Sequence, residues 1–197
     1  MRVALTIDTE QRGRPADEGN PARLLDVLAA TGTSATFFVQ GRWAGASRDL
    51  ARRIRDDGHL IGNHSYYHAP LNMLTPEGMR STVERADIVI LEVTGVDPRP
   101  WFRCPYGEGA DDTQVLETLA ALGYRNVGWD VDPEDWADGR SVDDVVETIV
   151  SGCAAHGDGA RVLVHSWPDV TVAALPRVIA ELRATGAELV RIDELGA

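Results

Sequence analysis

Arg161-Val162-Leu163-Val164-His165 is a near-continuous apolar run that closes on a histidine, the pattern of a buried strand ending at a polar mouth. Working outward from it, residues 2–8 alternate through Val3, Leu5 and Ile7 and close on Asp8. Further strand-like runs lie at 35–39, 60–62, 100–103, 126–131 and 188–192, and helix-like stretches separate them. Asn20-Pro21 reads as an N-cap with proline at the first helical position, and Gly32 as that helix's end. Ser47 precedes a helix carrying Leu50, Ala51 and Ile54, and Thr75-Pro76 opens a long one ending near Gly95. Asp111-Asp112 start a helix that runs to Gly123. Ser141 and Asp144 have capping-box spacing for a helix to about His156, and a last helix spans Leu175 to Thr185 before Gly186.

Seven strands alternating with six helices predict parallel strands joined by right-handed crossovers, hence an α/β barrel or an open doubly wound sheet. The reactive residues decide between them. Asp8, His64 and His68, Arg103, Asp132 and Asp135, and His165 follow five different strands, as around a barrel mouth. An open sheet would gather them at one switch point. The 197 residues fall short of the ~250 of an eight-unit barrel. The expectation is therefore a single domain over 1–197, a distorted, incompletely closed (β/α)7 barrel.

Composition sets the outer bounds. The formal charge is −12 and the basic residues are scattered, which excludes a phosphate-backbone partner. The apolar and charged fractions, 44% and 25%, are those of an ordinary globular domain, and no apolar run approaches the ~18–20 residues of a membrane span. Met1 leads directly into a strand, so no secretory leader is visible and the reading is a cytoplasmic chain, or a secreted one whose leader was trimmed. Cys104 and Cys153 are too far apart for a CxxC motif and are expected as free thiols. The oligomeric state is not legible.

Four segments carry candidate chemistry. His64-Ser65-Tyr66-Tyr67-His68 spaces two imidazoles at i and i+4, which on a helical turn share a face and hold one metal, with the acidic stretch Asp8-Thr9-Glu10 as a source of an anionic ligand. In Arg103-Cys104-Pro105-Tyr106-Gly107 the arginine is suited to orient a carboxylate and the tight turn to present a backbone N–H. Asp132-Pro133-Glu134-Asp135-Trp136 sets a carboxylate beside a ring able to stack on a sugar. Leu163-Val164-His165 ends a strand on a single imidazole. In isolation each reads equally well as a polar loop, a structural turn, a solvated acidic loop or a structural histidine.

Together, and in order, Thr6-Ile7-Asp8-Thr9, His64 to His68, Arg103 to Tyr106, Asp132 to Trp136 and Leu163 to His165 resemble the five motifs of the polysaccharide deacetylases, carbohydrate esterase family four, with the NodB homology fold. Those motifs run roughly TFDD, H[ST]xxH, RxPY, DxxDW and LxH, and four of the five match fully. The resemblance implies metal-dependent removal of N-acetyl, or O-acetyl, groups from a carbohydrate. It implies Asp8 as general base held by Arg103, and the backbone N–H of Tyr106 as oxyanion donor. His165 is implied as general acid with its pKa raised by Asp135, and Trp136 and Leu163 as walls of the acyl pocket. The cofactor implied is one divalent ion, zinc first, with cobalt or nickel as alternatives.

The first motif departs from the family: its second aspartate, a metal ligand, is Thr9 here. In a strand residues i and i+2 point the same way, so Asp8 and Glu10 can face the mouth together while Thr9 turns out. The ligand set read from this is Glu10, His64 and His68. A competing set exchanges the roles of Asp8 and Glu10, and a third reading is metal-free. Alternatives at the level of function are a C–N hydrolase for a small non-sugar amide or cyclic ureide, and a catalytically silent sugar-binding relative. Tyr66, Tyr67, Trp101, Trp129 and Trp167 are further aromatic candidates for a saccharide groove.

Overall fold

A computed structural model describes residues 1–10 and 19–195; the single-domain reading of 1–197 thus includes 11–18 and 196–197, which lie outside the described residues. Seven strands form one curled parallel sheet: β1 (Arg2–Thr9), β2 (Thr36–Val39), β3 (Leu60–Asn63), β4 (Trp101–Phe102), β5 (Arg125–Asn126), β6 (Ala160–His165) and β7 (Glu188–Val190). The helices are α1 (Asn20–Thr31), α2 (Gly41–Ala46), α3 (Arg48–Asp56), α4 (Pro76–Thr94), α5 (Thr113–Ala121), α6 (Val142–His156) and α7 (Asp169–Ala184). The order β5-β4-β3-β2-β1-β6 makes an α/β half-barrel, as the placement of the polar residues required. No helix among the described residues is long and apolar enough to cross a membrane.

β1 is the central strand, and nearly all of it is buried. One edge pairs with β6 along Val3–Asp8; the other is shared, with β7 at Arg2–Ala4 and β2 at Thr6–Thr9. Its odd residues Val3, Leu5 and Ile7 join Leu24, Leu25 and Leu28 of α1 and Val162 and Val164 of β6 in the outer core under the helices. Its even residues face the barrel interior, where Ala4 packs with Phe38, Val127 and Ile192. This period of two aims Thr6, Asp8 and Glu10 inward and leaves Thr9 beside Val39 on the helix side.

Several boundaries differ from the sequence reading. Asn20 is not the cap of α1: Gly19 is, and the Asn20 amide instead donates to Trp167 O and Asp169 Oδ1. Ser47 stands at the N-cap of α3 without a capping side-chain bond, whereas Thr75, Asp112 and the Ser141–Asp144 box do cap. The short α2 was not expected. α7 starts six residues earlier than expected and carries Pro176 inside it.

The expected fifth strand, 126–131, is not one strand. It leaves the β4 edge after Asn126, crosses the open side of the barrel, and bridges β6 at Val131–Val162. Val127 N still donates to Phe102 O on one side, and Asp130 N already donates to Arg161 O on the other. Between them the carbonyls of Val127 and Gly128 have left the ladder and accept from the buried Arg103 side chain.

Candidate metal centre and its flanking acid and base pairs

At the mouth of the half-barrel, ligand atoms of Glu10, His64 and His68 lie within 4.8 Å of one another, the one such group of three among the described residues. His64 and His68 do not share a helical face, contrary to the sequence argument: the segment from His64 to His68 is a loop. Ser65 and His68 both take left-handed backbone, each with φ 60°, a conformation costing about 1–3 kcal/mol per residue that the surroundings must hold. The bend brings the two Nε2 atoms to 3.0 Å, and Glu10 Oε2 to 2.5 Å from that of His68.

The donor set suits a divalent cation. His64 Nδ1 lies 2.9 Å from Arg103 O, a pure acceptor, so Nδ1 carries the proton and the Nε2 lone pair faces the other ligands. Burial lowers the His64 pKa to about 4, outweighing the nearby Asp8, which keeps the ring neutral as a ligand must be. Burial alone would raise Glu10, but His68, His64 and His165 hold it at about 2 and therefore anionic. Two imidazoles and one carboxylate are a ligand set that zinc, cobalt and nickel all accept.

Asp8 stands beside this set. Arg103 NH1 donates to its Oδ1 at 2.8 Å, and its Oδ2 lies 3.4 Å from His64 Nε2. Arg103 is wholly buried, and four of its donor bonds are accounted for: Asp8, Thr6 Oγ1 at 2.8 Å, and the carbonyls of Val127 and Gly128 at 3.1 and 3.2 Å. Phe38 covers the guanidinium face at 4.1 Å. Burial lowers the arginine's pKa and Asp8 opposes that, as expected for a buried cation that survives by being paired.

A second pair, His165 and Asp135, flanks the pocket. His165 Nδ1 meets Asp135 Oδ1 at 2.7 Å, while Asp135 Oδ2 accepts from His165 N and from the Thr171 hydroxyl. Burial disfavours the imidazolium, yet Asp135, helped by Asp8 and Glu10, outweighs it and the His165 pKa is raised. A pocket of about 310 Å³ joins the two pairs, lined by Asp8, Glu10, His68 and His165 and by Tyr106, Trp129, Trp136 and Leu163. Asp132 also lines it, and burial raises its pKa.

A sequence model of the family described as polysaccharide deacetylase matches residues 1–127. The chain belongs to that family, carbohydrate esterase family 4. The peptidoglycan-N-acetylglucosamine deacetylase PgdA of Listeria monocytogenes is 32% identical over 98% of this chain, which spans only 38% of that relative's length. A family 4 carbohydrate esterase of Streptomyces lividans, solved in complex with acetate, superposes with a TM-score of 0.82 at 33% identity, covering 94% of this chain and 90% of that one. A family 4 pseudoenzyme of Bacillus anthracis also superposes, with a TM-score of 0.86 at 28% identity, covering 98% of this chain and 64% of that one.

The five motifs of this polysaccharide deacetylase family thus come to one pocket, but the aromatic candidates divide. Trp129 lines it; Tyr66 packs on the outer core and Trp101 on the inner one. Tyr67 is exposed, and its hydroxyl accepts from Arg85. The Trp167 ring lies 6.1 Å from that of His165 without lining the pocket. Tyr106 sits at φ 60° in the tight turn Pro105–Gly107, its ring edge against His68. Both cysteines are buried free thiols, as expected, with pKa pushed up by burial to about 12 for Cys104 and about 11 for Cys153. The sequence reading named Trp129 only as one of five aromatic candidates, placed Asp132 at the mouth within the fourth motif without a chemical role, and did not single out Thr171.

Proposed function

We propose that the chain is a metal-dependent amide hydrolase that removes N-acetyl groups from a glycan. The carrying observation is the convergence of the Glu10–His64–His68 set, the Asp8–Arg103 pair and the His165–Asp135 pair on one pocket. A peptidoglycan substrate is supported by the name of the Listeria relative.

Glu10, His64 and His68 would hold the ion, zinc in the first instance, with Thr9 taking no part. A divalent ion there supplies Lewis acidity to an acyl carbonyl and lowers the pKa of water, so that a nucleophile exists at neutral pH. Asp8 takes the proton of the attacking water on Oδ2, because Arg103 fixes its other oxygen. As the water oxygen bonds to the acetyl carbon, negative charge collects on the carbonyl oxygen. The backbone N–H of Tyr106, the second residue of a one-turn helix and so without a partner in that turn, is placed to donate to it. The carbon–nitrogen bond then breaks, and the leaving amine takes its proton from Nε2 of His165, whose Nδ1 is held by Asp135. Water and amide become acetic acid and amine; the acid ionises to acetate, and the proton taken up by Asp8 restores the imidazolium of His165, so the protons balance. Leu163, Trp129 and Trp136 wall the pocket in which the acetyl methyl is sheltered.

The test is acetate release from N-acetylglucosamine oligomers and peptidoglycan fragments by zinc-loaded protein, beside Glu10→Ala and His165→Ala. Loss of a general acid removes about 10²–10⁴-fold in rate, so His165→Ala should fall by at least ~10²-fold while still binding metal. A zinc-loaded wild type that releases no acetate from any acetylated glycan would refute the reading. It would leave the catalytically silent reading, in a family that also contains the Bacillus anthracis pseudoenzyme.

A further inference from the structure

Behind the histidine loop lies a buried polar network that the chemistry above does not use. Asn63, the last residue of β3, is fully buried. Its Oδ1 accepts from Ser65 N at 2.7 Å, and its Nδ2 donates to Asp87 Oδ1 at 2.6 Å and to Val83 O at 3.1 Å. Asp87, on the inner side of α4, is itself buried. The Tyr124 hydroxyl also donates to its Oδ1, and Arg99, braced by Asp97, donates to its Oδ2 at 2.6 Å.

The directions of these bonds leave one arrangement. A carboxylate and a backbone carbonyl can only accept, so Asp87 and Val83 take the amide nitrogen of Asn63 and turn its oxygen toward Ser65 N. That bond ends on the N–H of the first left-handed residue of the loop, Ser65. The Ser65 hydroxyl then accepts from His68 N at 3.1 Å, at the second left-handed residue. α4 grips the loop again where Thr82 Oγ1 accepts from Tyr66 N at 3.2 Å. The loop has no slack: a Cβ at Gly41 would lie 2.7 Å from Ala86 Cα and 2.8 Å from Tyr66 Cδ2.

We propose that Asp87 and Asn63 are positioning residues, a relay from α4 through Ser65 that sets the spacing of the His64 and His68 Nε2 atoms and with it the affinity and geometry of the metal site. This rests on the reading of Glu10, His64 and His68 as metal ligands. Asp87 touches neither ligand nor pocket; it acts through Asn63, and Asn63 through the loop backbone.

The experiment titrates metal-free protein with Co(II), reading both the dissociation constant and the visible absorption of the bound ion, with thermal unfolding of each metal-free variant in parallel. Asn63→Leu and Asp87→Leu should each weaken cobalt binding about 10–100-fold, the range for residues that orient metal ligands, and alter the visible spectrum. Asp87→Asn should restore both to within about threefold, because an amide oxygen can still accept from Asn63 and Tyr124. A purely structural role would lower the melting temperature and leave the affinity and spectrum of the folded protein alone. Wild-type affinity and spectrum in folded Asn63→Leu and Asp87→Leu would overturn the proposal. Should those variants not fold, Ser65→Ala, which removes only the acceptor for His68 N, carries the same expectation and the same refutation. Cobalt bound equally by wild type and a His64→Ala, His68→Ala double variant would instead remove the metal-centre reading, and the relay with it.

Discussion

Thr9→Asp rewrites the first motif as the family has it, yet it should damage the protein without adding a ligand. Thr9 is fully buried on the helix side of β1 beside Val39, and its hydroxyl has no hydrogen-bond partner among the described residues. A carboxyl placed there has no cation to meet and must stay protonated. Holding an aspartate of ordinary pKa ~3.9 neutral at pH 7 spans about three pKa units, or about 4 kcal/mol at 1.36 kcal/mol per unit. For a domain of this size each kcal/mol moves the melting temperature about 2–4 °C, so the loss should be about 8–16 °C. The sign is specific: the folded pKa is raised, so the penalty is present above the unfolded value of ~3.9 and fades as the pH falls below it. Calorimetry of wild type and Thr9→Asp at pH 7 and near pH 4, with metal content of Glu10→Ala and of the Thr9→Asp, Glu10→Ala double variant, tests both halves. Metal regained in the double variant, or no loss of stability at pH 7, would refute the strand-alternation argument for Glu10.

Three further outcomes follow from other buried groups. Arg103→Met strands the Asp8 carboxylate and the Val127 and Gly128 carbonyls, and should cost about 3–5 kcal/mol in urea unfolding; a loss below ~1 kcal/mol would contradict its place as the closure of the barrel. Asp135→Asn removes the partner that raises His165. The acid form is lost as pH rises through its folded pKa, so the alkaline fall of kcat/KM should move to lower pH, and an unmoved profile would argue against His165 as the acid. His59, far from the mouth, is lowered to about 4, chiefly by burial, with Nδ1 accepting from Ala35 N. Its unfolded form takes up a proton near pH 6.5 that the folded form refuses, so stability should fall between pH 6.5 and 4 by about 3 kcal/mol. His59→Gln should flatten that part of the curve, and a curve of unchanged slope would refute the assignment.

Much of the architecture could be read without coordinates because strand periodicity and helix capping are local. The alternation Val3, Leu5, Ile7 against Thr6, Asp8 reports which face of β1 is covered by helices, and the Ser141–Asp144 box closes within four residues. Where local signals mislead, a distant partner has intervened. Asn20 looks like a cap but is drawn to Trp167 and Asp169. Residues 126–131 look like one strand but serve two edges of the sheet, because the gap they cross exists only once the barrel has curled.

The site divides in the same way. Sequence by itself determined the candidate ligand types, the five-motif order and the shared face of Asp8 and Glu10, since a period of two needs no tertiary contact. Only the tertiary structure decided how His64 and His68 meet. Their spacing suggested a helical turn, but the pair converges through two left-handed residues held by Asn63, Asp87 and Thr82, from other elements of the fold. A strained backbone is stable only where its surroundings supply compensating bonds, and those surroundings are assembled by packing α4 against the loop after β3, which no local pattern encodes.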